Sequence, residues 1–275
     1  MPHASRGSTS VLALIVAQAA TLGVMACVPD VVRWDEGARQ DVAIGAEARL
    51  VFGPDGSPAA VARWTPPVAP AGTPACSGSL ASVRARGDTA FSAWWAPRSD
   101  SAADLVVARS NDGGHTWRPP VVADSTDRGR TGCRRTPIAI TVDSLDGYVH
   151  VVYFLVAPEG PGVFCTHSME GGTMFHAPVP IVYGDRASAA SIATWGDTVA
   201  VAYEDPNASV PQVWLAISRT TGHIFEQRVS VSSPSASAAL RAVALRGSRI
   251  AVAWYETHRG GGAGSTVVRT GTIHW

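Results

Sequence analysis

The feature that most constrains this chain is a short pattern that recurs four times at intervals of about 50 to 60 residues. Each copy contains a tight turn with glycine, followed by an alternating apolar run that ends in an aromatic residue. Glycine supplies the positive φ that a tight β-turn needs, so each copy predicts a hairpin of two antiparallel strands. The turn glycines and the aromatic residues that follow them are Gly87 and Trp94, Gly147 and Tyr153, Gly196 and Tyr203, and Gly247 and Trp254.

A second pattern follows each of the first three hairpins in the same phase. Its intact copy reads Ser-Asn-Asp-Gly-Gly-His-Thr-Trp at residues 110–117, and weaker copies occupy residues 168–175 and 218–225. Ser and Asp side chains accept hydrogen bonds from the backbone N–H groups of a turn, while the glycines adopt positive φ. We therefore predict a second turn at each copy, with scaffold roles in the intact copy for Ser110, Asp112, Gly114, Thr116 and Trp117.

The intact copy resembles the Asp-box of the repeats found in sialidase-like β-propellers, and the two weaker copies extend the resemblance over roughly residues 30–275. The resemblance implies an all-β propeller of four-stranded blades, a radial arrangement in which few strand edges are exposed. The length of the chain accommodates five blades at the observed spacing. Six blades, the number usual in sialidases, is the alternative.

The N-terminal part of the chain fits the same frame. Residues 48–52 and 58–63 flank a Pro-Asp-Gly turn and predict another hairpin. The last repeat ends after its third strand, which would leave an outer sheet edge unpaired. We expect residues 31–34, Val-Val-Arg-Trp, to pair with this edge and to close the ring.

Residues 1–27 have the pattern of an export signal. A polar start with one arginine precedes an apolar run over residues 11–26, which is typical of a secretory signal peptide. Ala26 before Cys27 resembles a bacterial lipobox, in which the cysteine is lipidated; plain cleavage and a retained anchor are the alternatives. We therefore expect residues 28–275 to form a single extracytoplasmic domain, as a cell-envelope lipoprotein or a secreted protein.

Export changes the interpretation of the other three cysteines, because an oxidising compartment favours disulfides over thiolate metal sites. Cys76 and Cys133 occupy equivalent places in adjacent repeats and are the favoured pair, which leaves Cys165 over. No C-x-x-C pair occurs, so the sequence predicts no metal site, and it indicates no cofactor.

The charge balance excludes one class of partner. The 22 basic residues, all of them arginine, equal the 22 acidic residues in number. A chain without net charge is a poor candidate for binding nucleic acid by counterion release. The expected partners are a carbohydrate or an envelope or extracellular protein, with membrane contact only through the N-terminal lipid or signal anchor.

In a blade of this kind the glycine turns lie at the edge opposite the ligand. The candidate functional residues are therefore those at the edge that faces the ligand, where the repeats differ. Sialidases hold the substrate carboxylate with three arginines and use a tyrosine nucleophile assisted by a glutamate, which suits an anionic sugar. The resemblance implies Tyr255 and Glu204 as this catalytic pair. The predicted ligand-binding residues are Trp95, Arg134, Arg135, Arg186, Asp205 and Glu256.

Two functions follow from these predictions. The first is a non-catalytic module that binds glycan or protein at the cell envelope; the alternative is an exo-glycosidase of sialidase type acting on terminal sugars, including anionic ones. The Arg-Ile-Pro motif that opens typical sialidases is absent, and no acid matches the family's acid/base residue. Because Asp-boxes also occur in non-catalytic propellers, these departures favour the first function.

Overall fold

The computed structural model describes residues 30–36, 40–41, 44–45, 48–72, 76, 79–98, 102–129, 133–258 and 263–275. The predicted signal peptide and Cys27 lie outside the described residues. The described part of the chain is built from strands and turns without any helix, and it accordingly has no helix suited to spanning a membrane.

The strands are short and follow one another at close intervals. In chain order they are β1 (Val32–Trp34), β2 (Gln40–Asp41), β3 (Ala48–Phe52), β4 (Pro58–Ala62), β5 (Ala81–Arg84), β6 (Ala90–Pro97), β7 (Ala103–Ser110), β8 (Val121–Asp124), β9 (Ala139–Val142), β10 (Val149–Ala157), β11 (Gly160–Ser168), β12 (Val179–Tyr183), β13 (Ala190–Trp195), β14 (Thr198–Glu204), β15 (Val213–Ser218), β16 (Gln227–Ser230), β17 (Ala236–Arg246), β18 (Arg249–His258) and β19 (Ser265–Ile273).

These strands form antiparallel sheets, most of them four-stranded. Three sheets contain consecutive strands in sequence order, namely β5 to β8, β9 to β12 and β13 to β16. A further sheet contains β17, β18 and β19, with β1 and β2 both paired to β19. The N-terminal hairpin pairs β3 with β4. Within the described residues this hairpin has two strands, where the sequence predicted a four-stranded blade.

One strand of each sheet, here called its inner strand, faces a common central channel; the inner strands are β3, β5, β9, β13 and β17. Neighbouring inner strands also contact one another, β3 with β17, β17 with β13, β13 with β9 and β9 with β5. The all-β chain therefore has the propeller-like arrangement that the repeats predicted.

The N-terminal strand closes the last sheet. Val32 pairs with Ile273 and Trp34 with Gly271 in antiparallel register. Just beyond β1, the Asp35 carboxylate accepts a hydrogen bond from Arg249 at 2.7 Å and another from the Thr270 hydroxyl at 2.7 Å. The bond from Arg249 lowers the pKa of Asp35. The expectation that residues 31–34 supply the missing outer strand is confirmed.

The core lies between adjacent sheets. Strands covered on both faces bury side chains at nearly every position, and the four aromatic residues that end the repeated runs are all buried: Trp94, Tyr153, Tyr203 and Trp254. Trp254 belongs to the apolar cluster that also contains Leu215 and Ile217 of the neighbouring sheet. Tyr153 and Tyr203 likewise belong to apolar clusters that span two sheets, so these three residues pack one sheet against the next.

The turn after β7 is held by its own side chains. Ser110 Oγ accepts the Gly114 N–H at 2.8 Å, and the Asp112 carboxylate accepts the Thr116 N–H at 2.8 Å and the Thr116 hydroxyl at 2.6 Å. Trp117 Nε1 donates to the Val68 carbonyl at 2.7 Å. The bonds from Thr116 lower the pKa of Asp112 strongly. In the two weaker copies the serine likewise accepts from a glycine four residues later.

Replacing Trp254 by alanine tests the packing between sheets. We expect Trp254→Ala to lower the free energy of unfolding by about 3 to 5 kcal/mol, because it empties a buried aromatic site. The measurement is urea denaturation followed by circular dichroism. Trp275→Ala, at a side chain 53% exposed, is the control and should cost less than about 1 kcal/mol; equal effects of the two substitutions would contradict the packing described.

Candidate functional site

Two regions can carry a site, the loop edge and the central channel. The loop edge comprises the segment before each inner strand and the segment after the strand that follows it in the chain. At the loop edge a disulfide joins Cys76 to Cys133 and thus links the segments before β5 and β9. Ser79 Oγ donates to the Cys76 carbonyl at 2.8 Å. The nearby Trp95 is fully buried, and its ring meets that of Tyr153 edge to face at 5.5 Å. Trp95 thus contributes to packing at this edge.

A buried ion pair fixes the loop that carries Arg135. Asp127 Oδ2 accepts hydrogen bonds from Arg135 Nη2 at 2.6 Å and from the Ala103 N–H at 3.0 Å. The side chains of Arg135 and Asp127 are 8% and 1% exposed. The Arg135 guanidinium is therefore paired with the protein's own carboxylate, whereas the neighbouring Arg134 is exposed.

A second buried carboxylate lies nearby in sequence. Asp124 Oδ2 accepts the Tyr153 hydroxyl at 2.6 Å, and Asp124 Oδ1 accepts the N–H and the hydroxyl of Thr126, each at 2.7 Å. Burial is the main cause that raises the pKa of Tyr153 well above its usual value, and the charge of Asp124 raises it further. Tyr153 therefore stays protonated and links the sheet of β5–β8 to that of β9–β12.

The predicted catalytic pair lies on adjacent sheets, Glu204 at the end of β14 and Tyr255 on β18. Glu204 Oε1 accepts the Leu240 N–H at 2.9 Å. A bulge beside Leu240 sets Arg241 out of the strand ladder, and its guanidinium lies 5.6 Å from the Tyr255 ring centroid. Within the described residues no hydrogen bond joins Tyr255 to Glu204.

The remaining predicted residues make separate contacts. Arg186 donates to the Asp205 carbonyl, while the Asp205 carboxylate caps the Asn207 N–H at 2.9 Å. Glu256 is 2% exposed, and its Oε2 accepts the Trp254 Nε1–H at 3.0 Å. Each of these groups is engaged with its own strand end or loop.

The central channel is the larger candidate site, with a volume of about 580 Å³. Its lining includes the last residue of every inner strand: Phe52, Arg84, Val142, Trp195 and Arg246. The channel therefore extends to the turn edge, which we define as the edge formed by the turns that follow the inner strands.

The channel lining is positively charged. Arg246 Nη1 donates to the Gly53 carbonyl at 2.8 Å. Arg84 forms an ion pair at 3.0 Å with Asp88, an exposed residue that does not line the channel. Arg49 is exposed. Among the described lining residues there is no aspartate or glutamate, and the arginines are Arg49, Arg63, Arg84 and Arg246.

Aromatic and hydroxyl groups complete the channel. Trp64 and Trp195 line it and are partly exposed, and Thr194 Oγ1 is buried there without a hydrogen-bond partner. Arginine forks bind planar anions such as carboxylates, and aromatic faces pack against apolar surfaces. The channel thus suits an anionic ligand with an apolar face, but it lacks the carboxyl groups that glycoside hydrolysis ordinarily requires.

Sequence reasoning sought the ligand at the loop edge and missed the channel arginines. A signal was present, since Arg84 and Arg246 end the inner strands of two different repeats. Their convergence with Arg49 depends on closure of the ring, which joins segments distant in sequence and leaves no local pattern.

Comparisons with known proteins give structural similarity only. No protein-family model and no curated protein matches the chain. A Hadza microbial sialidase is 17% identical with a TM-score of 0.46, over 71% of this chain and 45% of that chain, so this chain spans less than half of its length. An ulvan lyase is 11% identical with a TM-score of 0.48, over 70% and 55% of the two chains. A protein of unknown function from Dyadobacter fermentans is 13% identical with a TM-score of 0.41, over 89% and 100%.

The buried ion pair at the loop edge yields a stability prediction. Asp127→Asn should lower the free energy of unfolding by about 3 to 5 kcal/mol, because it leaves the Arg135 charge buried without its counter-ion. Chemical denaturation at neutral pH measures this loss. Asp88→Asn breaks the exposed pair with Arg84 and serves as the matched control, with an expected loss of no more than about 1 kcal/mol. A loss for Asp127→Asn as small as that of the control would refute the structural role of the pair.

Proposed function

We propose that this protein is an exported, non-catalytic binding module that holds an anionic carbohydrate in its central channel. The observation that carries the proposal is the channel lining, with four arginines, two partly exposed tryptophans and no acidic side chain among the described residues. Anionic sugars present carboxylate or sulfate groups to arginine forks and apolar ring faces to aromatic side chains. Both kinds of partner occur together in this channel.

The contacts at the loop edge support a non-catalytic role. Glycoside hydrolysis needs a carboxyl group free to exchange a proton or a nucleophile activated by a neighbouring base. Glu204 Oε1 accepts a backbone N–H, and Tyr255 lies beside the Arg241 guanidinium with no hydrogen bond to Glu204 among the described residues. A phenol in contact with a cation and without a hydrogen-bonded base is poorly prepared for nucleophilic attack.

The same proposal includes the architecture and the location of the protein. We interpret the sheets around the channel as five blades of a sialidase-like propeller, with the turns after β7, β11 and β15 as its Asp-box turns. Export rests on the signal-like residues 1–27, and attachment to the envelope rests on lipidation of Cys27. A binding module held at the envelope would meet glycans at the outer surface of the cell.

Ligand binding through the channel is tested with arginine substitutions. The purified protein should bind at least one of oligogalacturonate, sialyllactose and a chondroitin sulfate oligosaccharide more tightly than neutral cellohexaose, as measured by calorimetry. Arg49→Gln and Arg246→Gln should each weaken that binding by about tenfold, because each removes a charge-assisted contact. Raising the salt concentration should weaken it further.

The control is Arg118→Gln, at an exposed arginine that follows the Ser110–Trp117 turn outside the channel lining. This variant should bind like the unaltered protein. Equal losses for all three variants, or binding of none of the anionic oligosaccharides, would refute the channel as the ligand site.

An enzymatic role is tested separately with a panel of fluorogenic glycosides that includes a sialoside. We expect no turnover above the uncatalysed rate, in the unaltered protein and in Tyr255→Phe alike. Hydrolysis by the unaltered protein that Tyr255→Phe abolishes would overturn the non-catalytic proposal and establish Tyr255 as a nucleophile.

A further inference from the structure

A cluster of histidines lies at the turn edge between the sheet of β9–β12 and the sheet of β13–β16. His150 and His167 are paired on β10 and β11, His176 follows the turn after β11, and His223 belongs to the turn after β15. These four residues, here called the histidine cluster, come from two different sheets. They lie apart from the channel lining.

The rings of the histidine cluster are in mutual contact. The centroid of the His167 ring lies 4.5 Å from that of His176 in a stacked arrangement and 4.4 Å from that of His223 in an edge arrangement. One nitrogen from each of His167, His176 and His223 can be chosen so that all three atoms lie within 4.8 Å of one another. Three imidazole nitrogens from two sheets therefore lie close enough together to approach a single ion.

Several buried nitrogens of this cluster have no hydrogen-bond partner among the described residues. His167 is 1% exposed, and both of its ring nitrogens are buried and unpartnered. Nε2 of His176 is also buried without a partner. Leaving such polar atoms unsatisfied in the interior costs free energy, so native proteins nearly always provide a partner. An ion bound through one nitrogen of each ring would supply such a partner to one nitrogen of His167.

The third ligand is oriented by its own turn. His223 Nδ1 lies 2.9 Å from the Thr220 carbonyl oxygen, and because a carbonyl only accepts, Nδ1 carries the proton. The lone pair is then on Nε2, which can bind a metal. Metal-binding histidines characteristically donate their other N–H to a carbonyl or carboxylate in this way. His150 is held similarly, with its Nε2 3.0 Å from the Thr221 carbonyl oxygen, and it packs behind His167.

We propose that His167, His176 and His223 bind a divalent zinc ion, with a fourth position open to water. Imidazole nitrogen is a preferred ligand of zinc, and three histidines plus water form a four-coordinate site. Zn–N bonds of about 2.0–2.1 Å draw the three nitrogens closer together, a movement that the exposed His223 can make. The exposed position of His223 also gives the ion a path from solvent.

Zinc at this point joins the turn after β15 to the end of β11 and thereby links two sheets. A ligand that binds only the folded state raises the unfolding temperature, and the rise grows with the logarithm of the ligand concentration above its Kd. The site does not involve the channel arginines, so its test stands independently of the proposed carbohydrate binding.

The test is zinc binding to untagged full-length protein that has been stripped with a chelator. We expect one equivalent of Zn²⁺ to bind by calorimetry, a rise in the unfolding temperature on its addition, and the intense visible absorption of four-coordinate Co²⁺ when cobalt replaces it. His223→Ala should weaken Zn²⁺ binding by at least about tenfold and abolish the cobalt band. Because His223 is exposed, this substitution removes its ring contacts with His167 and His176 without emptying a buried site.

The matched control is His115→Ala. His115 occupies the same place in the turn after β7 as His223 does in the turn after β15, and it is likewise exposed. This variant should bind Zn²⁺ and Co²⁺ like the unaltered protein. Absence of stoichiometric Zn²⁺ binding to the unaltered protein, or binding that His223→Ala leaves unchanged, would overturn the proposal.

Discussion

The pairing of β1 with β19 is the contact on which the ring of sheets depends. It brings the N-terminal segment onto the last sheet, with Val32 opposite Ile273, and the ion pair between Asp35 and Arg249 holds the end of β1 in place. Without this pairing the outer edge of β19 would be open and its backbone groups unpaired. The hairpin of β3 and β4 then packs between this sheet and the rest, and the inner strands enclose a channel.

Closure of the ring also determines where charge accumulates. The chain as a whole is neutral, yet the channel lining gathers arginines from the first hairpin, from β5 and from β17, and the described lining residues include no carboxylate. At the loop edge the opposite arrangement holds, since Arg135 is paired with Asp127 inside the protein. The proposed function therefore assigns the anionic ligand to the channel rather than to the loop edge. The histidine cluster occupies a third region, between two sheets.

Much of the fold was predictable because it repeats. The glycine turns and the alternating runs identified the inner hairpins, and the incomplete last repeat identified residues 31–34 as the closing strand. The site was less predictable, because it depends on contacts between segments far apart in sequence. Arg49 and Arg246 meet only through the packing of β3 on β17, and His167 meets His223 only where two turns adjoin. The sequence was tested for paired cysteines as metal ligands, whereas the three clustered histidines are far apart in sequence and form no local motif. The predictions for Tyr255 and Glu204 came from family resemblance. The contacts of both residues depend on a bulge in β17, and no sequence pattern predicts this bulge.

The central claim is that the ligand binds in the channel rather than at the loop edge. Hydrogen–deuterium exchange measured by mass spectrometry, with and without the anionic oligosaccharide that binds best, tests it directly. We predict slower exchange in peptides that contain Arg84 and Arg246, where the inner strands end, and no change in peptides covering residues 133–137. Protection confined to residues 133–137 and to the segment around Glu204 would contradict the account and return the site to the loop edge.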